Sequence, residues 1–142
     1  MSRLENKRLK IYIDFDGTIT IKDIGEHMFL KFGDPEEAKN IIDRWLNGRL
    51  NSKEVWIKLC ETVKNLDKKE FDDFLNKTEI DPYFKNFIAY TKKHKIDVTI
   101  LSDGLDYYIN KISKKENFDD ITLFCNKLEI DNNGKLIPYF PY

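Results

Sequence analysis

Cysteine is scarce in this chain: only Cys60 and Cys125 occur, far apart and outside any Cys-x-x-Cys pair. That excludes a disulfide framework and a cysteine-based zinc site, and leaves the expectation of two reduced, buried thiols. Charge of one sign is missing as well, because 24 Lys and Arg stand against 25 Asp and Glu for a net charge of −1. Such a balance gives no electrostatic reason to expect nucleic acid or an anionic membrane as partner. No apolar run approaches the roughly 20 residues of a membrane-spanning helix. The start, Met1-Ser-Arg-Leu-Glu-Asn-Lys-Arg8, is charged and has no apolar segment of the kind a secretory signal needs. The expectation is a soluble, cytoplasmic protein.

What is present is a globular composition, 41% apolar and 13% aromatic over 142 residues, the size of one ordinary domain. Ile11-Tyr-Ile-Asp-Phe15 is a short β-branched and aromatic run stopped by Asp16-Gly17, and reads as a strand buried on both faces. A long stretch of helical periodicity follows. Asp34-Pro35-Glu36-Glu37 predicts a helix start with Pro at its first position and acids in its first turn. Ser52 is placed to cap a second helix and Asp67-x-x-Glu70 to open a third, while Asp81-Pro82 begins a fourth. The period then changes to two: Ile96, Val98 and Ile100 alternate and Leu101 follows, giving a strand broken by Ser102-Asp103-Gly104. Leu105, Tyr108, Ile109 and Ile112 form a helical stripe. Ile121–Cys125 reads as a third strand, and Asn133-Gly134 between two apolar segments predicts a hairpin. Strand, helical block, strand, helix, strand implies an α/β protein with a parallel sheet and helices inserted after the first strand.

Ligands bind such sheets at the carboxyl ends of the strands, and two polar clusters fall there: Asp14-Phe15-Asp16-Gly17-Thr18 and Ser102-Asp103-Gly104. Residues two apart at a strand end point to the same side, so Asp14 and Asp16 can converge while Phe15 anchors the turn. Adjacent carboxylates repel unless their roles differ. A divalent metal separates them by holding one ionised while the other cycles a proton. Phosphoryl transfer needs these parts, a nucleophile and an acid/base, together with neutralisation of the phosphoryl oxygens. Ser102 can hydrogen-bond a phosphate oxygen without adding charge.

At these residues the sequence resembles the haloacid-dehalogenase superfamily. The resemblance implies a Rossmann-like α/β core made of residues 1–21 and 79–142, with a helical cap of residues 22–78 inserted after the first strand. It implies Asp14 as nucleophile, Asp16 as general acid/base, and Mg²⁺ held by Asp14 and the Asp16 carbonyl. Ser102, with the backbone N–H of Asp103 and the Phe15 segment, would hold the phosphoryl group. Asp14-Phe-Asp-Gly-Thr-Ile-Thr-x-x-Asp23, Phe32-Gly33 and Phe124-Cys-Asn-Lys-Leu-Glu-Ile-Asp131 resemble the phosphoserine-phosphatase-like branch, and within it the methionine-salvage phosphatases. Asp23 falls where phosphoserine phosphatases place a Glu that recognises the substrate amine, and it is equally suited to cap a helix. The cap arginine that those enzymes use for a substrate carboxylate has no match in Trp56-Ile-Lys-Leu-Cys60.

The resemblance implies a small phosphorylated metabolite as substrate, hydrolysed through an aspartyl-phosphate. It also implies a Lys paired with Asp14 and an acidic motif completing the metal site, both expected beyond the last strand of this chain. Lys111, Lys114, Lys115 and Lys127 come too early and read as surface lysines. Without those parts the first strand is expected at a sheet edge, open to self-association or a second chain. The alternative is then a catalytically impaired remnant that binds phosphate or a partner. A phospho-accepting receiver domain also carries an Asp at a strand end, but leaves no room for the helical insertion.

Overall fold

The structure is a computed structural model describing residues 8–142; the charged start, residues 1–7, lies outside the described residues. A four-stranded sheet in the order β1-β2-β3-β4 carries six helices. β1 (Lys10–Ile13), β2 (Asp97–Leu105) and β3 (Thr122–Ile130) are mutually parallel, and β4 (Leu136–Tyr139) turns back antiparallel to β3. Between β1 and β2 lie α1 (Ile24–Phe32), α2 (Pro35–Leu46), α3 (Ser52–Glu61), α4 (Lys68–Asn76) and α5 (Phe84–Lys93), and α6 (Asp106–Lys115) links β2 to β3. The parallel α/β sheet with helices after its first strand is as the sequence predicts.

α1 to α4 start where short polar side chains take their orphan N–H groups, whereas α5 and α6 have no side-chain cap. Asp34 accepts from Glu37 N (3.0 Å) with Pro35 behind it, and Asp67 accepts from Lys69 N and Glu70 N. Two helix starts differ from expectation: α5 begins at Phe84 rather than at Asp81-Pro82, because the Asp81 carboxylate accepts from Tyr83 N in a turn ahead of the helix. Asn51, not Ser52, caps α3, in a reciprocal capping box with Glu54 (2.8 and 2.9 Å). The geometry explains the one-residue shift: Asn51 sits three residues before the Glu54 that can return its bond.

β1 is shorter and less buried than its apolar sequence suggests. It ends at Ile13, because the Phe15 carbonyl already takes the N–H groups of Thr18, Ile19 and Thr20. Its residues alternate exposed and half-buried, and Tyr12 is 62% exposed. It pairs only with β2, so among the described residues it is an edge strand. Tyr12, Thr99 and Thr122 are aligned across the sheet, as are Leu101 and Phe124. Tyr12, Leu101 and Phe124 are all exposed, so one face of the sheet is open, whereas parallel sheets are normally covered on both. The other face packs against α5 and α6.

The sequence break at Ser102-Asp103-Gly104 becomes a bulge rather than an end. Leu101 pairs with Phe124 and Leu105 with Asn126, so four steps along β2 oppose two along β3. The inserted helices share one continuous core with the sheet, which runs from Phe15, Ile19 and Phe29 through Phe71 and Leu75 to Ile100, Tyr108 and Ile112. Phe15 is fully buried, which stabilises the fold by about 1.5–3 kcal/mol. The helical block leaves and re-enters the sheet domain at one place, where Thr20 and Ile80 form an antiparallel bridge and Ile21 N donates to Glu79 O (3.1 Å).

The predicted Asn133-Gly134 turn joins β3 to β4, with Gly134 at φ +72°. Its carbonyl accepts from Leu66 N (3.0 Å), and a Cβ there would lie 2.6 Å from Leu66 O and closer still to Leu66 N. The hairpin therefore docks on the loop between α3 and α4 through a position only glycine fits. Gly134→Ala is expected to destabilise the chain by about 1–3 kcal/mol in urea unfolding. An unchanged midpoint would show that the hairpin is free of this loop.

Candidate functional site

Parallel pairing of β1 with β2 brings both polar clusters to one end of the sheet. Ile13 pairs with Ile100, so Asp14 leaves β1 one residue on, beside the bulge that begins in β2 at Ser102, two residues past Ile100. Asp14 is exposed, and its Oδ1 accepts from Phe15 N (2.8 Å). The buried Phe15 ring and this bond fix the turn that presents Asp14.

Asp16 points inward. Its Oδ1 accepts from Ile24 N (2.9 Å) and Gly25 N (3.3 Å), the first N–H groups of α1, and its Oδ2 accepts from the Tyr108 hydroxyl (2.6 Å). Burial pushes the Asp16 carboxyl up to about 7, and the nearby Asp23 charge adds to the rise. The three donors act the other way, because hydrogen bonds to a carboxylate favour its charged form. Burial wins. The Tyr108 phenol is fully buried and raised well above its ordinary value, first by burial and then by the Asp16 charge.

Gly104 shows how tightly these groups meet. A Cβ on it would lie 2.6 Å from Asp16 Oδ2, 3.0 Å from Ser102 Oγ, and against the Tyr108 hydroxyl. Asp16, Ser102 and Tyr108 thus share the space beside one glycine. Ser102 is buried and its Oγ accepts from Gly104 N (3.0 Å), which holds the bulge of β2. Asp103 faces outward, with its carboxyl raised first by partial burial and then by the charges of Asp14 and Asp23. Asp23 caps α1, accepting from Glu26 N (2.9 Å).

All the residues singled out from the sequence, Asp14, Phe15, Asp16, Asp23, Ser102 and Asp103, therefore gather at one end of β1 and β2. Phe15 contributes a buried ring, and its N–H is already engaged by Asp14. Among the described residues no ion pair reaches this carboxylate cluster. Lys111 pairs with Asp72, and Lys115 donates to the carbonyls of Asn76 and Thr78, as surface lysines do. Cys60 and Cys125 are free and buried, with thiols pushed up to about 12.

Sequence reasoning missed Tyr108, Gly104 and Trp56. Tyr108 sat in an apolar helical stripe and counted as core; the available signal was a phenol in a buried stripe, which needs a polar partner. Trp56 packs over the start of α1, where a Cβ on Gly25 would lie 2.7 Å from the indole edge. The Trp56 indole N–H is buried with no acceptor among the described residues.

No protein-family model matches the chain. It is 30% identical over 122 residues to a 2-hydroxy-3-keto-5-methylthiopentenyl-1-phosphate phosphatase of Brevibacillus brevis, covering 85% of this chain and 54% of that protein. The protein of the same name from Geobacillus thermodenitrificans is 34% identical over 121 residues, covering 84% and 54%. The chain spans about half the length of these relatives. Among solved structures, a phosphoserine phosphatase in a phospho-aspartyl intermediate analogue form superposes with a TM-score of 0.75 at 24% identity, covering 92% of this chain and 63% of that one. Strand order, the helical insertion and this superposition define a haloacid-dehalogenase-like α/β fold. The sequence relatives add a similarity to curated phosphatases over most of this chain. No helix among the described residues is long and apolar enough to cross a membrane.

The Asp16 environment sets a pH dependence of stability. A carboxyl raised from 3.8 to about 7 on folding contributes stability that is complete below the unfolded value and lost as pH rises toward 7. Metal-free wild type should lose on the order of 2–4 kcal/mol relative to Asp16→Asn between pH 4 and 7. Urea unfolding of both at several pH values checks this; parallel curves would place Asp16 in an ordinary solvated state.

Proposed function

We propose that the chain forms the Asp14 side of a Mg²⁺-dependent phosphomonoester hydrolase that works through an aspartyl-phosphate on a small phosphorylated metabolite. The observation that carries this reading is the meeting of Asp14, Asp16 and Ser102 at one end of two adjacent parallel strands, around Gly104. An Asp14 carboxylate oxygen attacks phosphorus, the ester P–O bond breaks, and the leaving oxygen takes its proton from the Asp16 carboxyl. Asp16, now a carboxylate, then takes a proton from water as that water attacks the phosphoryl group. The P–O bond to Asp14 breaks and phosphate leaves. A carboxyl near 7 suits both directions of transfer. Ser102 and the Asp103 N–H hold phosphoryl oxygens, and Asp23 faces the substrate's far end while capping α1.

The donors fit Mg²⁺ in kind. They are hard oxygens, the Asp14 carboxylate and the Asp16 main-chain carbonyl, and that carbonyl accepts no hydrogen bond from another described residue. A three-residue metal cluster is absent among the described residues, but Mg²⁺ commonly takes one or two carboxylates and completes its shell with phosphate and water. When bound, the ion supplies the positive charge that lets a phosphate dianion approach these carboxylates. The same reading divides the chain into an α/β core, residues 1–21 and 79–142, and a helical cap, residues 22–78. The Thr20–Ile80 bridge at the crossing supports that division.

A second reading, a phosphate- or partner-binding remnant of impaired activity, is favoured by the lack of any cation paired with the cluster among the described residues. One missing transition-state contact typically costs about 10²–10³ in rate, so the 142-residue chain is expected to turn over well below the usual 1–10³ s⁻¹ or so. Its residual turnover of p-nitrophenyl phosphate should require Mg²⁺ and vanish in Asp14→Asn, which removes the nucleophilic charge. Activity retained in that variant under saturating Mg²⁺ would sink covalent catalysis at Asp14. Phosphate binding with no turnover in the wild type would select the second reading.

A further inference from the structure

The segments that carry the chain into and out of the helical block pair at the Thr20–Ile80 bridge, where Ile21 N donates to Glu79 O and Asp81 N to Ile19 O (2.8 Å). Beside this crossing lies a cavity of about 240 Å³, walled by the start of α1 and the end of α4. Ile24 and His27, three residues apart on one face of α1, both line it. Its apolar side is completed by Phe74 and by Ile21, which is 54% exposed despite its place in the paired segment. The polar side is cationic. Lys22 and Lys77 line the cavity with Glu79 as its one acid, and none of the three is ion-paired among the described residues. Lys31 adds positive charge nearby, its Nζ 5.5 Å from the centre of the Phe74 ring. The carboxylate site has the opposite character. The cleft that opens from Asp16, Asp23 and Asp103 past Trp45 of α2 and Trp56 of α3 carries two further acids, Glu26 and Asp43, and one lysine, Lys39.

We infer that the cavity at this crossing is a second ligand site, built for a small organic carboxylate with a single apolar ring. The inference does not rest on the phosphatase reading of Asp14. An apolar cavity of about 150 Å³ already holds a benzene ring, so the space suffices for a ring and one carboxylate. The ring covers Ile21 and Phe74 and releases the water against them. The carboxylate takes charge-assisted hydrogen bonds from Lys22 and Lys77, whose ammonium groups have no other partner among the described residues. A neutral ring forgoes those bonds, and a bare inorganic anion leaves the apolar side wet. The site is tied to the carboxylate cluster through α1. Ile24, which lines the cavity, gives its N–H to Asp16 Oδ1 (2.9 Å), and His27 Nδ1 donates to the Asp23 carbonyl (2.8 Å). An occupant therefore touches two residues that hold Asp16 and Asp23 in place.

The test reads binding at single residues. Amide NMR spectra of the 142-residue chain are followed without Mg²⁺ during titration with benzoate, benzyl alcohol and inorganic phosphate. Benzoate should give saturable shifts at the amides of Ile21, Lys22, Ile24 and Lys77. Benzyl alcohol, with the same ring and no charge, should bind there about fivefold more weakly. Inorganic phosphate should not saturate these amides. Lys22→Gln combined with Lys77→Gln should lower benzoate to the affinity of the alcohol, with the amide shifts of the sheet core unchanged as a check on folding. Benzoate shifts confined to Asp14, Phe15 and Asp103 would put the anion at the carboxylate site and overturn the inference. Equal affinities for benzoate and benzyl alcohol would do the same, as would phosphate binding these amides as tightly as benzoate. A double variant that binds benzoate like the wild type, or no saturable shift with any probe, would also end it.

Discussion

The Asp16 carboxyl joins two parts of the chain that otherwise meet mainly through apolar packing. One oxygen takes the first N–H groups of α1, where the helical block begins, and the other takes the Tyr108 hydroxyl of α6, which is packed on the sheet. Each donor is an otherwise unsatisfied group, an orphan helix N–H or a fully buried phenol, so neither side can release the carboxyl without leaving a polar group unpaired. The position of the helical block over the strand ends follows from this clamp. So does the shape of the bulge in β2, since Gly104 must stay bare for Asp16, Ser102 and Tyr108 to share its space.

The clamp has an electrostatic side. Desolvation would keep Asp16 neutral, and three donors pull it back toward ionisation, leaving it near neutrality instead of at either extreme. Around it, partial burial and then the charges of Asp14 and Asp23 raise the Asp103 carboxyl, and none of these aspartates is ion-paired among the described residues. Such a cluster is held only at some cost, which the cation and phosphate of the proposed function would offset. This is the logic of a site built for a charged ligand rather than for stability.

The sheet itself is lopsided. α5 and α6 cover one face, while Tyr12, Leu101 and Phe124 leave the other open beside an unpaired β1 edge. The end of the sheet that carries the carboxylates does not depend on that face. Asp14 is held by its own turn and by β2, and the cleft is walled by α2 and α3, which pack on each other and on α1.

Much of this was legible in the residues. Asp14, Asp16 and Ser102 were visible because each follows an apolar strand run, although the break at Ser102 proved to be a bulge within β2 and not its end. The hairpin at Asn133-Gly134 and the caps at Asp34 and Asp67 were equally local, set by φ > 0 or by a side chain reaching an N–H two or three residues ahead. Ser52 was misread as a cap by one position because the capping box depends on which residue Glu54 can reach back to. β1 read as doubly buried, since its composition is that of an inner strand; its exposure is a matter of neighbours. Tyr108 looked like one more core residue of α6, and Trp45 and Trp56 like helix stripes. Their roles depend on partners 92 residues away, as with Tyr108 and Asp16, or on which helices enclose a space. The sequence alone determined which groups could do chemistry and at which strand ends, because strand and turn preferences act over a few residues. Only the tertiary structure decided which carboxylate is withdrawn from water, what holds it, and which apolar side chains face a cleft, because desolvation and packing depend on residues distant in the chain.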